Sequence, residues 1–111
     1  HPDHIAAGEN TLAAIFPTAR DHMTFPELLD EGFQPHKVAE AWIMGHPEPD
    51  LWIDISDHME TSVRALTSHV TQMSGQSFKE VFDRTIEWRG ERGKGHGMPQ
   101  ADVFKRIYYR R

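Results

Sequence analysis

The segment His1-Pro2-Asp3-His4-Ile5-Ala6-Ala7-Gly8 opens the chain and combines a helix start with two imidazoles and a carboxylate. Proline suits the first position of a helix because its missing N–H would have no partner there. A helix that begins at Pro2 places His1 and His4 at i and i+3, which are neighbouring positions on one helix face. Such a group can bind a metal and transfer protons. On spacing alone, a capped helix start with surface histidines explains the motif equally well.

The same segment favours metal chemistry on electrostatic grounds. The positive end of the helix dipole disfavours a charged imidazole, which helps to keep His4 neutral and able to bind zinc. Asp3 lies where its carboxylate could accept a ring N–H and fix the tautomer of a histidine. A catalytic zinc usually has three protein ligands and an open position for water, and no other histidine of the chain has a convincing partner at ligand spacing. We therefore expect any further zinc ligands to come from residues that this chain does not contain.

Turn formers and apolar repeats predict the elements of the first half of the chain. A helix starts at Pro2 and ends at Pro17, and a short helix occupies residues 26–32. Residues 38–44 and 51–55 have the composition of strands. The segment between these strands is rich in turn-forming residues, and it fits either a hairpin loop or a connection within a larger sheet.

The second half contains the clearest helical pattern. Asp57 and Glu60 form a predicted capping box at the start of this helix. An apolar stripe then continues as far as Gly75, at Met59, Val63, Leu66, Val70 and Met73. His69 and Gln72 share a face of the same helix at i and i+3, and they are candidates for lining a binding pocket.

A second predicted helix follows, with Ser77 and Glu80 as its capping box. Residues 90–97 are rich in glycine and predict a flexible connection. They have neither a preceding strand nor Walker A spacing, which excludes a phosphate-binding loop. The closing residues predict a short helical turn from residue 101 that leads into a strand over residues 104–109.

Length and composition indicate one soluble globular domain. The chain has 111 residues, of which 38% are hydrophobic and 10% aromatic, enough for a single modest core. No apolar run approaches the roughly 20 residues of a membrane-spanning helix. The lack of cysteine excludes disulfides and thiolate metal sites in this chain and fits a reducing compartment, so we expect a cytoplasmic protein. Because the first residue is His1 and not methionine, we expect further sequence upstream.

The net charge of −5 conceals two segments of opposite sign. Residues 1–83 carry 4 basic and 14 acidic side chains, whereas residues 84–111 carry 8 basic and 3 acidic ones. A basic segment of this kind could contact nucleic acid. It lacks the interleaved aromatic residues of a single-strand binder. The sequence therefore favours a solvated surface, or a face that pairs with acidic parts of the same protein.

The opening motif resembles that of a known family. His1-Pro2-Asp3-His4 followed by Ala6-Ala7-Gly8 is similar to the H-P-D-H-x-x-A-G signature of LmbE-like proteins, the PIG-L (GlcNAc-PI de-N-acetylase) superfamily. Four further segments look like landmarks of that family in the same order, namely residues 25–29, 52–56, 65–72 and 101–104. The resemblance covers nearly the whole chain and is loosest at residues 90–97. It identifies residues 1–111 as the carboxyl-terminal part of a single deacetylase domain.

This resemblance implies an α/β, Rossmann-like fold and a zinc-dependent N-deacetylase that hydrolyses an acetamide on an amino sugar or sugar conjugate. The last histidine of the family's motif binds the metal, which implies that His4 is a zinc ligand. The first histidine donates a proton or stabilises the oxyanion, a role implied for His1. The intervening aspartate tunes that histidine, a role implied for Asp3. The family's general base and remaining ligands lie in an H-P-D-D motif that this chain lacks, so the chain alone is expected to be inactive.

Other interpretations differ in what they predict. In a non-catalytic binding module the HPDH motif would be only a helix cap, and no hydrophobic strand running into H-P-D-D would precede His1. A nucleic-acid binder that uses residues 84–111 would bind less tightly as salt increases. Imidazole and carboxylate suit Fe²⁺ as well as Zn²⁺. The metal, the exact substrate and homo-oligomerisation are left open by the sequence.

Overall fold

The computed structural model of the protein describes residues 1–109, which form two compact units. Unit 1 contains residues 1–41 with residues 108 and 109, and unit 2 contains residues 42–107. The elements are α1 (Pro2–Ile15), α2 (Pro26–Asp30), β1 (Glu40–Met44), β2 (Leu51–Asp54), α3 (Met59–Thr67), α4 (Phe78–Gly93) and β3 (Ala101–Tyr108). The expected α/β class is confirmed. Arg110 and Arg111, the end of the predicted basic segment, lie outside the described residues.

The strands form a three-stranded sheet in the order β1-β3-β2. β2 and β3 are antiparallel, with Leu51 opposite Phe104 and Asp54 opposite Ala101. Because β3 lies between β1 and β2, the segment that joins those two strands is a connection within the sheet. Of the two alternatives that the sequence left open, the hairpin is therefore wrong.

The core of unit 2 forms where α3 packs against α4. Val63 from α3 and Val81 from α4 both have an exposed fraction of 0%, and Met59 is exposed by only 5%. Thr85 is the buried polar side chain here, and its hydroxyl donates to the carbonyl of Val81 at 2.6 Å. This internal bond satisfies a hydroxyl that would otherwise be costly to bury.

The predicted continuous helix from Asp57 to Gly75 is wrong at both ends. α3 begins at Met59 without a side-chain cap, so the predicted Asp57 capping box does not form. It ends at Thr67, whose hydroxyl donates to the carbonyl of Val63 at 2.9 Å. Ser68 likewise donates to the carbonyl of Ala65 at 2.6 Å. Hydroxyl side chains that bond nearby carbonyls compete with helix continuation, and the chain proceeds as a 3₁₀ turn over Val70–Gln72.

α4 is longer than predicted, because the glycine-rich residues 90–93 continue the helix. The Ser77–Glu80 capping box at its start is confirmed. Gly93 is buried, and a Cβ atom at this position would lie 2.0 Å from the carbonyl oxygen of Met98. The glycine thus permits the chain to fold back closely over the helix end before it enters β3. Glycine at this position serves close packing and not flexibility, which corrects the predicted loop.

β3 begins at Ala101, three residues before the predicted strand and without the predicted helical turn. Ion pairs attach both halves of β3 to neighbouring segments. Asp102 accepts from Arg89 of α4 at 3.0 Å, and Lys105 pairs with Asp50 at 2.8 Å. Pairing with β2 from the first residue of β3 onwards explains why the extended conformation starts early.

The turn between α4 and β3 is attached to the sheet by an aromatic contact. The ring of His96 stacks on Trp52 of β2 with the ring centroids 3.9 Å apart and the planes 16° apart. The glycines on both sides of His96 have positive φ, at 80° for Gly95 and 70° for Gly97. This left-handed backbone, which glycine adopts without a Cβ penalty, directs the histidine ring onto the indole.

Unit 1 consists of α1 and a folded loop. No residue of α1 is buried, although Leu12 and Ile15 on the predicted apolar face are half-buried. A 3₁₀ turn at Thr18–Arg20 packs against α1. α2 begins at Pro26 as predicted and ends at Asp30, before Gly32. No helix among residues 1–109 combines the length and apolarity that a bilayer crossing requires.

Candidate functional site

The structure brings the three residues of the predicted site together at the start of α1. His1 occupies the N-cap position, and Pro2 is the first helical residue. The backbone N–H of His4 donates to the carbonyl of His1 at 3.0 Å. This turn places the centroids of the two imidazole rings 5.9 Å apart, with their planes inclined by 52°. The arrangement follows from the helix start that Pro2 and the i, i+3 spacing predict.

His1 is oriented by the backbone of Asp3. The backbone N–H of Asp3 donates to Nδ1 of His1 at 3.2 Å, so the imidazole itself caps the helix. A nitrogen that accepts a hydrogen bond carries no proton, and the neutral ring must then be protonated on Nε2. Nε2 is therefore the atom through which His1 can donate a hydrogen bond to a ligand.

The carboxylate of Asp3 lies close to the same ring without forming a hydrogen bond to it. Its Oδ2 lies 3.6 Å from Nδ1 of His1, beyond hydrogen-bond distance. When the imidazole is protonated, Nδ1 no longer accepts from the Asp3 backbone N–H and can instead donate to this carboxylate. Both side chains are largely exposed, at 65% for His1 and 86% for Asp3. Solvent therefore screens their attraction strongly.

The described residues do not supply a complete metal site by themselves. A catalytic zinc requires about three protein donors. Across residues 1–109, no group of three or more histidine, aspartate or glutamate side chains is arranged to hold a metal ion. The described residues thus offer a metal ion one exposed donor, the imidazole of His4, with the imidazole of His1 beside it.

The predicted pocket residues His69 and Gln72 lie beyond the end of α3. His69 is the N-cap of the 3₁₀ turn Val70–Gln72, and its carbonyl accepts from the backbone N–H of Gln72 at 2.9 Å. Because His69 lies outside the turn with ψ of 63°, the shared helix face that the sequence predicts for the two residues does not form. Both are exposed. Their predicted role in lining a pocket stays a prediction.

A cleft in unit 1 was not predicted from the sequence. It has a volume of about 150 Å³ and is formed by the folded loop between α1 and β1. The lining residues are Thr18, Ala19, Asp21, Thr24, Phe25, Leu28, Leu29, Phe33, Gln34 and Pro35. We call it the 18–35 cleft. The exposed aromatic residues Phe25 and Phe33 on either side of α2 are the one sequence signal that could have indicated it.

Comparison with known proteins finds a deacetylase among the relatives of this chain, although no family model matches it. That relative is the diacetylchitobiose deacetylase of Thermococcus kodakarensis, to which the chain is 29% identical over 106 residues. The similar region takes in 94% of this chain and 39% of the relative. The chain thus spans about two fifths of the length of the curated protein that it matches. A distant similarity to a deacetylase extends over nearly all of its residues.

Proposed function

We propose that this chain is part of a metal-dependent N-deacetylase that hydrolyses an N-acetylated amino sugar. The observation that carries the proposal is the pairing of His1 and His4 at the start of α1, with ring centroids 5.9 Å apart. The similarity to diacetylchitobiose deacetylase supports both the reaction and the class of substrate. In the overall reaction water adds to the acetamide carbonyl, the C–N bond breaks, and acetate and a free amine leave.

His4 is the proposed metal ligand. Its imidazole is exposed at the first turn of α1, three residues after His1, and a neutral imidazole is a common metal ligand. The remaining donors and the general base belong, in this proposal, to an H-P-D-D segment elsewhere in a longer polypeptide. Zn²⁺ or Fe²⁺ would supply Lewis acidity at the amide carbonyl.

His1 is the proposed proton donor and oxyanion partner. The Asp3 backbone N–H engages Nδ1, which leaves the opposite ring nitrogen, Nε2, for the substrate. Hydrogen-bond donation or proton transfer by a positioned imidazole contributes roughly 10²–10⁴ in rate. Asp3 is a positioning residue in this scheme, because its carboxylate can stabilise the ring when it is protonated.

A non-catalytic module remains the second candidate, and one observation favours it. The His1 imidazole already has a structural function as the helix cap, since its Nδ1 accepts from the Asp3 backbone. In that case His1 would contribute to the stability of α1 and to nothing else, and neither histidine would affect metal content.

Single substitutions in the longest natural polypeptide that contains this chain test the proposal. His4→Ala should lose bound metal and deacetylase activity together, because one of about three protein donors is removed. His1→Ala should retain the metal but lose about 10²-fold or more in kcat. Elemental analysis measures zinc and iron content, and release of acetate from N-acetylglucosamine conjugates measures activity.

His58→Ala is a matched control for these variants, since His58 is an exposed histidine outside the motif whose side chain makes no capping hydrogen bond at the start of α3. It should change neither metal content nor turnover. Full metal content in His4→Ala would contradict the assignment of this residue. Unchanged turnover in His1→Ala, accompanied by a loss of helix stability, would instead favour the non-catalytic module.

A further inference from the structure

We infer that the 18–35 cleft binds one sugar ring of an N-acetylated glycan, as a subsite separate from the reacting acetamide. The inference rests on the proposed function and extends it to how the substrate is held. It is carried by the size of the cleft, by a fixed carboxylate within it, and by two exposed phenylalanines on its wall.

The volume of the cleft suits a single small ring. At about 150 Å³ it is smaller than the roughly 300–1,000 Å³ of sites for larger organic ligands. The loop that forms it is closed by a hydrogen bond from the His36 backbone N–H to the Ala19 carbonyl at 2.7 Å. Compact surface loops whose ends meet in this way frequently carry function.

Asp21 supplies a fixed acceptor inside the cleft. One oxygen of its carboxylate accepts from the Met23 backbone N–H at 2.9 Å, and the other accepts from the Thr24 hydroxyl at 2.7 Å. The bond from Met23, followed by that from Thr24, holds the pKa of Asp21 below its usual value, so the group is ionised at neutral pH. Each carboxylate oxygen has a second lone pair for a sugar hydroxyl. Thr18 and Gln34 are further polar residues of the lining.

Two phenylalanines supply the apolar surface that the C–H face of a pyranose ring requires. Phe25 is exposed by 53% and Phe33 by 61%, although both line the cleft. Phe25 has a left-handed backbone with φ of 58°, a conformation that costs a non-glycine residue free energy. Such strained residues cluster at binding sites, and the bond from the Leu28 N–H to the Phe25 carbonyl at 3.0 Å keeps the residue in place.

The position of the cleft separates it from the histidine motif. The turn Thr18–Arg20 follows the carboxyl end of α1, whereas His1 and His4 lie at the amino end of the same 14-residue helix. At 1.5 Å per residue this helix is about 21 Å long. The ring in the cleft is therefore not the ring that reacts, and a glycan that reached both places would have to be an oligosaccharide.

The experiment is a titration of the ¹⁵N-labelled full chain with N-acetylglucosamine and its short β-1,4-linked oligomers, followed by amide chemical shifts. Shifts should be concentrated in residues 18–35. Phe33→Ala should weaken binding about tenfold, since an aromatic contact of this kind corresponds to about one decade in Kd. Glu31→Ala is the matched control, because Glu31 lies in the same loop, is exposed and does not line the cleft. It should leave the Kd unchanged.

Absence of shifts in residues 18–35, or an equal Kd for Phe33→Ala in a variant with unchanged circular dichroism, would overturn the inference. So would binding of a short aliphatic alcohol at the cleft in place of the sugars. The titration needs neither metal nor turnover, so its failure is distinct from that of the proposed function. If the titration shows no sugar binding while the metal content of the longer polypeptide still depends on His4, only the subsite is rejected.

Discussion

At the scale of single residues, two glycines of α4 have opposite structural roles. A Cβ atom on Gly93 would lie 2.0 Å from the Met98 carbonyl oxygen, whereas one on Gly90 would lie 3.4 Å from the side-chain nitrogen of Gln100. The first neighbour is backbone that cannot move without shifting the turn. The second is the end of a flexible side chain at an ordinary contact distance. Glycine is thus required at one position and only tolerated at the other.

Gly93→Ala should lower the free energy of unfolding by at least about 2 kcal/mol, because overpacking against backbone is costly. Gly90→Ala, the matched control, should raise it by about 0.5–1 kcal/mol through the better helix propensity of alanine. Urea unfolding followed by circular dichroism measures both. Equal effects of the two substitutions would contradict the close approach at Gly93.

The residues of the site were easier to predict than their hydrogen bonds. The proximity of His1 and His4 follows from Pro2 and the i, i+3 spacing, both of which are local. The backbone bond from Asp3 to Nδ1 of His1 depends on which ring nitrogen faces the helix, and spacing does not determine that. The 18–35 cleft could not be predicted, because its lining residues come into contact only when the loop is closed by the hydrogen bond of His36.

At the scale of elements, the capping boxes show why identical patterns had different outcomes. Ser77 and Glu80 bond to each other at the start of α4, with the Glu80 carboxylate accepting from the Ser77 backbone N–H at 2.7 Å. Asp57 and Glu60 have the same spacing, but a 3₁₀ turn at Ser56–His58 occupies the position of the expected cap. Glu60 pairs instead with Arg64, at 2.7 Å. A local motif therefore predicts a cap only where the preceding chain is extended.

Ser77→Ala should lower the free energy of unfolding by about 1 kcal/mol, the usual effect of losing an N-cap. Asp57→Ala should change it by less than about 0.5 kcal/mol, as expected of an exposed side chain without such a contact. Thermal or urea unfolding of the two variants side by side checks this prediction. A larger effect at Asp57 than at Ser77 would reverse the assignment of the two caps.

The ion pair between β3 and the residue that precedes β2 makes stability depend on pH. The side chain of Lys105, followed by the Arg106 backbone N–H, holds the pKa of Asp50 below its ordinary value of 3.8. A carboxylate with a lowered pKa in the folded state contributes stability above the unfolded pKa and loses it as pH falls through the folded value. The contribution of Asp50 is therefore complete above its ordinary pKa and disappears only as the pH falls through the lower pKa of the folded state.

Asp50→Asn should destabilise the protein at neutral pH, and the difference from the natural chain should shrink as the pH falls below 3.8. Urea midpoints measured at neutral pH and at several acidic values test this. A difference that stays constant down to the lowest pH would show that the carboxylate charge is not the cause.

At the scale of the whole molecule, the buried apolar residues all lie in unit 2. Met59, Val63, Val81 and Ala101 are the buried hydrophobic residues of the described chain. The elements of this core were predicted from periodicity, and the order β1-β3-β2 was not, because strand order depends on contacts distant in sequence. The Rossmann-like arrangement stays a prediction that residues 1–109 do not test.

Hydrogen exchange should therefore be slowest in unit 2. Amides of α3 and α4 around Val63 and Val81 open only with the core, whereas α1 contains no buried residue. Few buried contacts correspond to a low free energy of local opening. We expect α1 amides to exchange at least about tenfold faster than those around Val81, measured by mass spectrometry on the full chain. Equal protection would show that unit 1 has a stability that its burial does not explain.

The face-to-face contact of His96 with Trp52 gives the chain a built-in optical signal. Trp52 is one of 3 tryptophans, and the other two have different ring neighbours, Phe104 beside Trp42 and the Arg92 guanidinium over Trp88. Indole emission responds to the group against its face. Detachment of the Gly95–Gly97 turn would therefore change the fluorescence of one tryptophan, so that movement of this turn can be timed without attaching a dye.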